Sequence, residues 1–180
     1  MNIEEGVKII SVYDNIVDYI LVKQGAKINA VGTPDKPIVM TSEKEEPGAW
    51  GGIHICGKAH TNAEGGKGSS EIGGAVYGGN DDADNSGTLQ YIRLEYTGFA
   101  FDEEHEANGI SFYGVGSGTI VDHCEAYKGS DDGFEFFGGS VNVSNMVVVS
   151  CSDDSFDWTE GWNGKGTDLV AYQEAKATLG

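Results

Sequence analysis

Along most of the chain, apolar and polar residues alternate singly. Ile92, Leu94 and Tyr96 alternate with Arg93 and Glu95, and Cys124 and Ala126 alternate with Glu125 and Tyr127. Met146 and Val148 lead a run that includes Val147 and Val149. Single alternation sends one row of side chains inward and the next outward, which is the signature of a half-buried strand. No segment carries an i, i+3, i+4, i+7 stripe with caps, so the pattern predicts strands and no sizeable helix. The opening stretch from Val7 to Met40 reads as short strands broken at Asn15, Gly25, Gly32 and Pro34.

The strands recur. Asp131-Asp132-Gly133-Phe134-Glu135-Phe136 matches Asp153-Asp154-Ser155-Phe156-Asp157-Trp158 at an offset of 22 residues, acid on acid and aromatic on aromatic. Weaker copies are Asn108-Gly109-Ile110-Ser111-Phe112-Tyr113-Gly114 and Gly51-Gly52-Ile53-His54-Ile55-Cys56-Gly57. A repeat of this length with two or three short strands is one coil of a solenoid. The Leu-x-x-Leu-x-Leu spacing of leucine-rich repeats is missing. The expected fold class is therefore all-β, a right-handed parallel β-helix. Its coils stack at about 4.8 Å so that equivalent side chains form columns. Phe134 should then lie on Phe156, Phe136 on Trp158, and His54, Ser111, Glu135 and Asp157 in one outward column. Residues 58–87 and 99–107 break the period and read as loop insertions, which solenoids carry on one face. Residues 1–180 read as a single domain.

Composition narrows the picture. With 11 Lys and Arg against 29 Asp and Glu, the formal charge is −18. That excess repels nucleic acid and anionic membrane and favours cations or cationic partners. Twenty-eight glycines against three prolines suit many tight turns and argue against a Pro-rich disordered chain. Cys56, Cys124 and Cys151 have no metal spacing and read as small buried hydrophobes. No run of about 20 apolar residues is present, so no membrane span is expected. Met1 to Asn15 lack the basic start and apolar run of a signal peptide.

The segments Lys36-Pro37-Ile38-Val39-Met40-Thr41-Ser42, Trp50-Gly51-Gly52-Ile53, Gly129 to Gly139 and Asp153 to Trp162 resemble a group of secreted bacterial β-helix proteins. These are often surface lipoproteins or proteins with a sorting domain, mostly without an assigned activity. The resemblance covers nearly the whole chain. It implies a right-handed parallel β-helix, an extracellular or cell-surface setting, and membership in a longer solenoid. It carries over no catalytic set.

Chemistry concentrates between Gly129 and Gly164. That window has no Lys or Arg but holds Asp131, Asp132, Glu135, Asp153, Asp154, Asp157 and Glu160. The 22-residue register places the acids of one coil over those of the next. Two carboxylates about 5 Å apart repel by about 3 kcal/mol at an effective dielectric near 20. A cation, a shared proton or splaying into water relieves the repulsion. Calcium, with six to eight hard oxygen ligands, suits the stack of Asp131, Asp132, Asp153 and Asp154. The loop carrying Asp82 and Asp84 is a second candidate. Without a cation, both stretches read as Asp-rich turns whose carboxylates accept backbone N–H bonds. The expected role is a non-catalytic surface or scaffold module that is cation-stabilised, binds polysaccharide and associates end to end through open edges. Trp162 and Tyr127 are candidate sugar platforms. The alternative is a polysaccharide-active enzyme using Asp132 and Asp154, or Glu135 and Asp157, as paired carboxylates.

Overall fold

A computed structural model describes residues 1–14, 16–102 and 105–174. The expected break at Asn15, and Glu103 and Glu104 of the second insertion, lie outside the described residues. In chain order the strands are β1 (Asn2–Ile3), β2 (Lys8–Ser11), β3 (Ile20–Val22), β4 (Ile28–Val31), β5 (Ile38–Ser42), β6 (Ile53–Cys56), β7 (Gly68–Ser69), β8 (Val76–Tyr77), β9 (Gly87–Glu95), β10 (Ile110–Tyr113), β11 (Ile120–Tyr127), β12 (Phe134–Phe137), β13 (Asn142–Val149), β14 (Phe156–Thr159) and β15 (Gly166–Tyr172). All pairings except β7–β8 are parallel between successive coils. The fold is a right-handed parallel β-helix. Among the described residues, no helix is long and apolar enough to cross a membrane.

Three faces build the prism. The first holds β1, β4 and the opening arms of β9, β11, β13 and β15, and the second holds β2, β5 and their closing arms. The third is the five-stranded sheet β14-β12-β10-β6-β3. Tyr91, His123, Asn145 and Asp168 mark the corner between the first two faces, each with φ near 50°. One left-handed residue turns the chain and slips the side-chain phase. Two consecutive residues thus point outward, as in Leu89-Gln90-Tyr91-Ile92 and Val121-Asp122-His123-Cys124, with the flanking apolar residues buried. Tyr96, Lys128 and Ser150 form a second left-handed column, and Gly114, Gly138 and Glu160 a third.

Stacked apolar side chains fill the interior. Phe112 lies on Phe136 with ring centroids 5.1 Å apart, and Phe134 on Phe156 at 5.7 Å. Glycines precede the third face because the coils nearly touch there. A Cβ on Gly109 would meet the Gly133 carbonyl at 2.3 Å, and one on Gly133 would meet the Ser155 carbonyl at 2.7 Å. The Phe136–Trp158 contact differs from expectation. The backbones pair, but Phe136 stacks on Trp162 at 4.6 Å, and Trp158 is 62% exposed. All three cysteines are free and buried, and burial pushes the Cys56 thiol up to about 11 and Cys124 to about 12.

The first insertion is not a bare loop. It contains the antiparallel β7–β8 hairpin, and Ala75 and Tyr77 pack on Cys56, Tyr113 and Phe137, which point outward from the third face. Glu160 pins the hairpin by accepting from Tyr77 Oη at 2.9 Å and from Thr61 Oγ1. The second insertion crosses the same face and closes with an isolated bridge between Ala100 and Glu106. Truncating Phe136 removes two ring stacks and leaves a cavity. Phe136→Ala should cost about 3–5 kcal/mol of unfolding free energy, read by denaturant titration; a loss below 1 kcal/mol would contradict this packing.

Candidate functional site

The two insertions flank an acidic cleft of about 220 Å³ over the third face. Asp131 and Asp132 come from the turn before β12, and Asp153 from the turn before β14. Glu135 on β12 and Asp157 on β14 point outward in the same column, in register with Ser111 and His54. Glu71 enters from the first insertion and Glu106 from the second. None of the seven lining residues is basic.

The carboxylates form two overlapping triads. Asp131, Asp132 and Asp153 each offer one oxygen, all within 4.8 Å of one another, and so do Asp132, Glu135 and Asp157. Asp132 belongs to both. It is 7% exposed, and its Oδ1 accepts the Asp154 backbone N–H at 2.8 Å. That bond fixes the side chain by the turn chemistry that makes Asp common in turns. Asn108, fully buried, donates from Nδ2 to Glu135 Oε2 at 2.6 Å and to Ser111 Oγ at 3.1 Å.

Crowded acids in a poorly solvated cleft hold their protons. Burial, then Glu106 and Asp153, push Asp131 up to about 6. Burial pushes Asp132 to about 7, with Asp131, Asp157 and Asp153 adding to the rise. Burial, with Glu71 and Asp132 nearby, pushes Glu135 to about 9. Glu71 reaches about 7, chiefly through burial, despite the opposing influence of His105. At neutral pH the cleft therefore carries protons that a hard cation would displace.

The other residues singled out from sequence sit elsewhere. Asp154 is exposed and contributes its backbone N–H rather than an oxygen of either triad. Asp82 is engaged by His60, accepting its backbone N–H at 3.0 Å with the ring Nδ1 at 2.8 Å. Asp84 is buried and accepts from Ser86 Oγ at 3.0 Å. Neither belongs to a converging triad among the described residues. Trp162 covers Phe136 and donates from Nε1 to the Val141 carbonyl at 3.1 Å. Tyr127 has the Arg93 guanidinium 4.3 Å and the Lys128 ammonium 5.1 Å from its ring centre. Glu71 and Glu106 escaped the sequence reading, which flagged their insertions but had no register to place them.

Parallel coils stacked on three faces define a parallel β-helix. A family model described as a pectate-lyase-like beta helix domain matches residues 1–180, and the chain belongs to that family. No curated protein and no solved structure matches it.

The cleft sets a pH dependence. Glu71, Asp131, Asp132 and Glu135 bind protons more tightly folded than unfolded, where Asp titrates near 3.8 and Glu near 4.5. Their contribution is full below those values and lost as pH rises through about 6 to 9. His54 acts oppositely, because burial lowers it to about 4 and its contribution is lost as pH falls below 6.5. From pH 7 to 9 the cleft therefore dominates. The melting temperature of metal-free protein should fall across that interval, and Glu135→Gln should flatten the slope. A rising curve would contradict the assignment.

Proposed function

We propose that this chain is a non-catalytic extracellular or cell-surface β-helix module whose acidic cleft binds calcium and whose solenoid recognises polysaccharide. The observation that carries the cation reading is the sharing of Asp132 by two carboxylate triads, each within 4.8 Å. Oxygens gathered so closely without a basic neighbour in the lining suit a hard divalent cation. Calcium would neutralise the repulsion within the cleft and tie both insertions to the solenoid through Glu71 and Glu106. The absence of a basic residue among the lining groups favours binding over proton abstraction from a sugar. End-to-end association through the open sheet edges belongs to the same reading.

A second reading, a polysaccharide-active enzyme, draws on one observation. Glu135, pushed to about 9, is a proton-bearing acid beside Asp132 and Asp157, the pairing of acid and base that glycoside cleavage uses.

Differential scanning with calcium and with chelator tests the first reading. Calcium at about 100 times its dissociation constant should add about 2.7 kcal/mol of stability, and Asp132→Asn should abolish the response. A melting temperature indifferent to both reagents would refute the cation site. Incubation with neutral and acidic polysaccharides should release no sugar; release that disappears in Glu135→Gln would establish the second reading instead.

A further inference from the structure

The first corner of the prism holds a second feature, separate from the acidic cleft. Four stacked residues occupy its left-handed positions: Tyr91, His123, Asn145 and Asp168. Asn and Asp tolerate this conformation because their short polar groups satisfy the nearby backbone. His also enters this region more often than most residues, whereas a bulky Tyr there costs about 1–2 kcal/mol. Yet these two present their rings together, stacked with centroids 4.4 Å apart and planes at 23°. Asp122 orients the His123 ring, with Oδ2 2.8 Å from Nδ1. Its own carboxylate is held by Asn145 and Ser144 at 2.9 and 2.8 Å. Burial opposes these bonds, but they outweigh it and lower Asp122 to about 2.

The coil above departs from the regular corner. There the chain detours through residues 32–37 between β4 and β5, and both strands still pair with β9. The detour overhangs the ring pair and leaves a groove of about 260 Å³, walled by Pro34 and Pro37 on one side and by Tyr91 and His123 on the other. One end is polar, where Arg93 Nη1 donates to both Glu125 oxygens at 2.9 and 3.0 Å.

We infer that this groove is a binding subsite for one uncharged sugar ring. The walls are mostly carbon, and the aromatic faces carry the negative side of the ring quadrupole, which attracts C–H groups. Arg93 also donates from Nε to Glu95 Oε1 at 2.6 Å, so the polar end is one guanidinium shared by two carboxylates and carries a net negative charge. It offers a donor fork and acceptor oxygens side by side, and a hydroxyl is both donor and acceptor. That net negative charge turns away an anionic ligand. A ring with one apolar face and a hydroxylated edge satisfies both ends of the groove. The volume of about 260 Å³ accommodates one such ring. Tyr127 and Trp162, the sugar platforms expected from the sequence, do not line this groove.

Amide NMR of the full chain, titrated with cellotetraose, tests the inference. The amides of Ile92, Arg93 and Cys124 should shift saturably. Tyr91→Asn and His123→Asn use a side chain the corner already accepts at Asn145, so the coil should stay folded; each should weaken binding by about tenfold or more. Asp132→Asn should leave the affinity unchanged, which separates this subsite from the cation cleft. No saturable shift, shifts confined to the acidic cleft, tighter binding of oligogalacturonate, or shifts given only by a proline-rich peptide would each overturn it.

Discussion

The structure depends on in-register hydrogen bonding between successive coils. Every parallel pairing places residue on equivalent residue, so the chemistry at one position is repeated or opposed one coil away. For apolar positions the repetition is favourable: Ile53, Ile110, Phe134 and Phe156 form one column, and Ile55, Phe112 and Phe136 another. For charged positions it is costly, because Glu135 lies beside Asp157 and the Asp131-Asp132 turn beside the Asp153 turn. The same ladder that builds the core concentrates the acids.

The third face shows how that burden is distributed. Its outward side would show a mixture of aromatic and acidic residues to water. The first insertion covers the aromatic part, seating Tyr77 and Ala75 on Tyr113, Phe137 and Cys56. The acidic part stays open as a slot between the insertions, each of which adds one further carboxylate. Adding like charge to a crowded site is unfavourable unless a proton or cation is shared. The elevated values of Glu71, Asp132 and Glu135 are the protonic form of that sharing.

Much of this was legible in the residues themselves. The match of Phe134 to Phe156 and of Glu135 to Asp157, read as a 22-residue offset, is the observed register. The column of His54, Ser111, Glu135 and Asp157 is as expected despite the long insertion between its first two members. The corners were less legible. A left-handed residue slips the alternation by one, so Gln90-Tyr91, Asp122-His123 and Ser144-Asn145 appear as interruptions instead of a turn. Trp158 was misplaced because strand register fixes the backbone but not whether another layer covers the side chain. Glu71 and Glu106 were illegible because insertions have no repeat, and tertiary packing alone decides where they land.

The detour at residues 32–37 has a wider consequence. One coil replaces a single corner residue by a six-residue excursion, and the strands on both sides keep their partners. The prism therefore tolerates extra chain at its vertices without disturbing its arms. Each vertex is a mounting point, and the rod between is an indifferent carrier. Recognition loops can be exchanged there while the ladder beneath continues to specify the fold.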